Sequence, residues 1–131
     1  MFREKLSNAI NNLGVNCEIS SIYGKGTVLK LDLNPAYYLY TPISNIDPGF
    51  FNVTENVIQE MNRDKVDFAL VFVKVNKEGN DDLYVYDKQS MDKLLKNASI
   101  EKKYGNYRIT TNSLENPISL NAFIEFIDSL I

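Results

Sequence analysis

Phe68-Ala69-Leu70-Val71-Phe72-Val73-Lys74-Val75 is an apolar run with no polar side chain before Lys74. Its length and its β-branched and aromatic content suit a strand, and a strand with no polar side has no face to give to water. Other elements must then cover it above and below. That requirement makes a layered α/β domain the leading fold.

The flanking sequence supplies candidate covers. Upstream, Asn52 stands three residues before Glu55 like an Asn-based capping box, and Val53, Val57, Ile58 and Met61 form the apolar stripe of a helix ending at Arg63-Asp64-Lys65. Downstream, Lys77-Glu78-Gly79-Asn80-Asp81-Asp82 reads as a polar turn, and Leu83-Tyr84-Val85-Tyr86 as a strand antiparallel to 68–75. Ser90 is placed to cap a short helix containing Met91, Leu94 and Leu95. Gly105-Asn106 reads as the two-residue turn of a hairpin joining 100–104 to 107–111. Ser119 caps a last helix over 120–131, with Phe123, Ile124 and Ile127 on one face and Ile118 placed to pack on Phe123.

Toward the N-terminus, Phe2, Leu6, Ile10 and Leu13 recur at helical spacing up to Gly14, a left-handed C-terminal cap. Val15, Cys17 and Ile19 then alternate with Asn16, Glu18 and Ser20, and Leu29, Leu31 and Leu33 alternate with Val28, Lys30 and Asp32. These are the strands of a hairpin. Taking Gly24-Lys25-Gly26 as a three-residue loop sets Ile19 opposite Leu31, Cys17 opposite Leu33, Ser20 opposite Lys30 and Glu18 opposite Asp32. A third strand, Tyr37-Tyr38-Leu39-Tyr40, is ended or pushed to an edge by Pro42, and residues 45–51 read as turn. The expected fold is α/β (α+β): one domain over 1–131, with a mixed, mainly antiparallel sheet flanked by helices in the order α-β-β-β-α-β-β-α-β-β-α.

Composition bounds the function. A chain of 131 residues with 44% apolar and 24% charged side chains is that of one ordinary globular domain. There is no His, and Cys17 is the lone cysteine, which excludes Ser-His and Cys-His nucleophilic pairs, His-ligated metals and an internal disulfide. Met1-Phe2-Arg3-Glu4-Lys5-Leu6 does not read as a secretory signal, and no apolar run reaches the roughly 20 residues of a membrane span, so a cytoplasmic protein is expected. A formal charge of −3 disfavours general attraction to phosphates, although residues 87–109 are locally basic through Lys88, Lys93, Lys96, Lys102, Lys103 and Arg108.

Two sets of residues carry candidate chemistry. On the polar face of the first hairpin, Glu18 and Asp32 oppose each other beside Lys30. Two carboxylates near a lysine are the parts of a site that holds Mg²⁺ or Mn²⁺ and activates water on a phosphodiester. The plain alternative is a solvated hairpin face, where charges recur at every second position. The second set is Tyr37, Tyr38 and Tyr40, with Lys102, Lys103 and Arg108. Tyrosine supplies rigid contact area at interfaces and stacking surface for bases, and is equally an ordinary strand residue.

The run of helix, hairpin, third strand, helix and apolar strand over about residues 1–97 resembles the core of the restriction-endonuclease-like PD-(D/E)xK nuclease superfamily. That resemblance implies Asp32 as the metal-binding acid and an acid-x-Lys signature on the third strand. Tyr37-Tyr38-Leu39-Tyr40-Thr41-Pro42 contains neither acid nor lysine, and Lys30-Leu31-Asp32 has the residue types in reverse order. The leading expectation is therefore a small non-catalytic interaction protein, inhibitor- or immunity-protein-like and of microbial or phage type, which binds another protein without a cofactor or a membrane. The alternative is a metal-dependent nuclease or nucleic-acid-binding protein. Whether the chain is an enzyme and how it assembles stay open.

Overall fold

A computed structural model of the chain describes residues 2–14, 16–46, 48–101 and 105–130, with the side chains of 99–101 left aside. In its first half the elements are helix α1 (Phe2–Asn12) and strands β1 (Ile19–Ile22), β2 (Lys25–Leu31), β3 (Tyr37–Tyr40), β4 (Ile43–Ser44) and β5 (Phe50–Thr54). Then follow α2 (Glu55–Asp64), β6 (Asp67–Lys74), β7 (Asp82–Tyr86), α3 (Lys88–Lys96), β8 (Ser99–Glu101) and β9 (Asn106–Thr110). A 3₁₀ turn (Thr111–Ser113) leads to α4 (Leu120–Ser129). The expected order is present, with β4 and β5 added to it.

β6 is the axis of the molecule. Every residue of it after Asp67 is buried. Phe68, Leu70 and Phe72 point into one core with Phe51, Val57, Met61, Met91, Leu95 and Ile109. Ala69, Val71 and Val73 point into the other, with Leu6, Ile10, Phe123, Ile124 and Ile127. The period of two thus serves two cores: α2, α3 and a small sheet cover one face, α1 and α4 the other.

The main sheet is mixed. β1, β2 and β3 form an antiparallel meander, β3 pairs parallel with β6, and β7 pairs antiparallel with the other edge of β6. β3 and β4 hold one register along β6, from Tyr37 opposite Asp67 to Ser44 opposite Lys74. They are a single track interrupted at Pro42, whose ring removes a donor but whose carbonyl still accepts from Val73 N–H at 2.9 Å. Pro42 interrupts this strand without ending it.

The second sheet, β5-β9-β8, is antiparallel and corrects the reading of 45–55. Asn52 does not cap a helix. It is an outward residue of β5, as Phe50 is, while Phe51 and Val53 are buried. The first N–H of α2, from Glu55, is satisfied across the fold by the Gly105 carbonyl at 2.9 Å. Val53 and Val57 have helical spacing, but pairing of β5 with β9 claims Val53, which no local pattern reveals.

Other ends follow the expectation in part. Gly14 has φ +70 just past α1, while Leu13 lies outside the core at 60% exposure. Ser119 caps α4 by accepting from Ala122 N–H at 3.2 Å. For α3 the cap is Asp87, not Ser90: its carboxylate accepts from Ser90 N–H at 2.9 Å and Ser90 Oγ at 2.8 Å. The charged acceptor at a helix N-terminus wins over the hydroxyl.

The first hairpin has the expected register, Ile19 opposite Leu31 and Ser20 opposite Lys30. Its turn differs. Tyr23 and Gly24 both have positive φ, at 58 and 65, and form a two-residue loop closed by Ile22 opposite Lys25, with a bulge between Ser21 and Ile22 absorbing the difference. In the second hairpin Asn106 is a strand residue opposite Glu101, so Gly105-Asn106 is not the turn; residues 102–104 lie outside the described residues. Among the described residues no helix is long and apolar enough to cross a membrane.

Candidate functional site

The hairpin places Glu18 and Asp32 as expected. Asp32 N–H donates to the Glu18 carbonyl at 2.8 Å, one step beyond the Ile19–Leu31 pair. Both residues are exposed, and Lys30, on the same side of β2 as Asp32, is half-buried opposite Tyr38 of β3. Among the described residues no group of three or more His, Cys, Asp or Glu side chains is gathered for a metal ion. Beside this face, burial pushes the Cys17 thiol up; a backbone hydrogen bond at Asp32 opposes that shift and the Asp32 charge adds to it.

The three tyrosines of β3 do not share a surface. Tyr37 packs edge-on against Phe126 of α4, with ring centroids 6.2 Å apart, and burial there pushes its hydroxyl up to about 12. Tyr38 lies on the opposite face, edge-on to Tyr23 at 6.1 Å. Tyr23 donates its hydroxyl to Asp64 at the end of α2, and burial again raises its pKa. Tyr40 is buried, and its hydroxyl accepts from Thr54 N–H at 2.9 Å, tying β3 to the start of α2. Alternation along a strand accounts for this division. Arg108 is exposed on β9 and lines a cleft of about 400 Å³ with Leu94, Asn97 and Thr110. Lys102 and Lys103 lie outside the described residues.

Two features that pattern reasoning missed lie together where β4 and β6 end. The first is a concentration of exposed apolar groups. Among the described residues, the large exposed hydrophobics are Leu13, Ile43 (37%), Ile46 (56%) and Phe50 (37%), three of them within 43–50. The segment is tied back on itself by Phe50 N–H donating to Ser44 Oγ at 3.1 Å. Isolated surface apolar residues need no explanation, whereas three within eight positions are a concentration that scattered exposure does not account for.

The second is an ion pair with one buried member. Lys5 of α1 meets Asp81, just before β7, at 3.0 Å between Nζ and Oδ2, with side-chain exposures of 43% and 3%. Asp81 Oδ1 is buried and has no hydrogen-bond partner among the described residues. The pair lines two clefts. One, of about 400 Å³, adds Phe2, Ile43, Asn45 and Val75; the other, of about 530 Å³, is walled by residues 79–82 and 117–121. Asp81 is buried because Leu83 exchanges both backbone hydrogen bonds with Ile118, at 2.9 and 2.8 Å, which seats the start of β7 beside the N-terminus of α4. Compared with known proteins, the chain matches no family model and no curated protein sequence.

Proposed function

We propose that this chain is a non-catalytic, cytoplasmic binding protein that docks another protein through Ile43, Ile46 and Phe50. The observation carrying this reading is the exposure of Ile43, Ile46 and Phe50 on one segment held by the Phe50–Ser44 hydrogen bond. The Phe50–Ser44 hydrogen bond restrains the backbone that carries these groups, so less conformational freedom is lost on binding and more of their burial appears as affinity. A net charge of −3 over the chain favours the approach of a basic partner, which presents an apolar patch to these side chains.

The test is affinity capture from host extract at mild salt with the wild type, Ile46→Asp and Leu13→Asp. Ile46→Asp abolishes capture of the partner and Leu13→Asp, an equally exposed site elsewhere, leaves it intact. Equal capture by all three overturns the reading.

One observation favours a second reading. The hairpin register brings Glu18 opposite Asp32, with Lys30 on the same side, which suits a metal-dependent nuclease using Mg²⁺ or Mn²⁺, or a nucleic-acid-binding relative of the restriction-endonuclease-like type. Metal-dependent cleavage of DNA or RNA, lost in Asp32→Ala, would establish it over the docking reading.

A further inference from the structure

The Lys5–Asp81 pair is arranged as an incomplete polar site. A buried carboxylate normally has both oxygens engaged, and leaving one without a donor costs free energy. Here Oδ2 receives the Lys5 ammonium and Oδ1 receives nothing among the described residues. Lys5 in turn has donors to spare, since an ammonium carries three and Asp81 takes one. Each member of the pair therefore retains an unused half: an acceptor on Asp81, donors on Lys5. Lys5 and Asp81 line one cleft together with Phe2, Ile43, Val75 and Asn45, whose amide is both donor and acceptor.

We infer that this cleft binds a small zwitterion with an apolar side chain, of which the free apolar α-amino acids are the simplest. The ligand ammonium donates to Asp81 Oδ1, its carboxylate accepts from Lys5 Nζ, and its side chain lies on Phe2, Ile43 and Val75. The two dipoles, Lys5–Asp81 and ammonium–carboxylate, then run antiparallel, and the filled site stays neutral. A simple cation is repelled by Lys5 and a simple anion by Asp81. A cleft of about 400 Å³ has the scale of small-molecule sites. Oδ1 is covered in this conformation, so binding shifts the pair, and Lys5, 43% exposed against 3% for Asp81, is the member with room to move. The inference goes beyond the docking reading and does not rest on it: its charged groups lie on α1 and before β7, although Ile43 and Asn45 of the cleft also belong to the 43–50 segment.

Titration of the full chain with L-leucine, L-isoleucine and L-phenylalanine, followed by calorimetry and by methyl and amide NMR, tests it. Saturable binding is expected, with shifts at Ile43, Val75 and Asn45. N-acetyl-leucine and leucinamide, each lacking one charge, bind about tenfold more weakly or worse. Glycine, lacking the side chain, also binds more weakly. Lys5→Met and Asp81→Asn each lose the binding; because stranding the buried Asp81 carboxylate can compromise folding, Asn45→Ala serves as the surface variant and weakens it several-fold. The inference is overturned if no apolar amino acid binds saturably, if blocked analogues bind as well as the free ones, or if shifts map to the Arg108 cleft.

Discussion

Replacing Phe72 by alanine isolates the contribution of β6 to the core. Phe72 is fully buried, with the ring of Phe51 at 5.1 Å and 66° and that of Tyr86 at 5.8 Å and 87°, both edge-to-face. Truncation removes the transfer free energy of the ring and leaves a cavity that β5 and β7 cannot close, a loss of about 3–5 kcal/mol. A domain of this size has a total stability of about 5–15 kcal/mol. Urea unfolding at a slope near 2 kcal/mol/M converts a loss of about 4 kcal/mol into a midpoint about 2 M lower, with the slope unchanged. Phe72→Leu, which refills most of the volume, costs about 1.5 kcal/mol or less. Phe50→Ala, on the outward side of β5 at 37% exposure, removes less covered surface and leaves no closed cavity, so it costs less than Phe72→Ala. Equal losses for Phe72→Ala and Phe50→Ala would refute the placement of both rings.

Three further outcomes follow from single contacts. Tyr40→Phe strands the Thr54 N–H and lowers stability by about 1–3 kcal/mol, with faster amide exchange at Thr54 as the local readout. Ser119→Ala removes the α4 cap and costs about 1 kcal/mol by denaturant unfolding, whereas Ser90→Ala leaves the Asp87 acceptor in place on Ser90 N–H and costs less. Tyr37, raised by burial to about 12, holds its proton more tightly folded than unfolded, so its contribution is complete below about pH 10 and is lost as pH rises toward 12; Tyr37→Phe flattens that part of the stability profile, and an unchanged profile would contradict the burial of its hydroxyl.

Patterns contained within one element were legible in the sequence. A three-residue loop over 24–26, joined to the alternation of Ile19 with Ser20 and of Leu31 with Lys30, leads to the observed hairpin register although the loop is the shorter Tyr23-Gly24, because the bulge after Ser21 compensates for the difference. Ser119 was legible as a cap for the same reason: donor and acceptor are three residues apart. Features set by distant pairing were not. Val53 looks helical until β9 is placed beside it, and Glu55 takes its cap from Gly105. The same alternation that defines β3 sends Tyr37 and Tyr38 to opposite faces, so grouping them by proximity in sequence merged two environments. Lys5 and Asp81 stand 76 positions apart, in a helix and in what reads as a solvent-facing turn, and only the packing of β7 beside α4 buries the carboxylate.

Both clefts and the 43–50 segment hang on β6 being the covered axis of two cores. Residue-resolved hydrogen exchange reads this directly. The amides of Leu70, Val71, Phe72 and Val73 are expected among the slowest in the chain, opening only with global unfolding and at the free energy measured by denaturant. Exchange of those amides at rates like those of the Lys77–Asn80 turn would contradict the account.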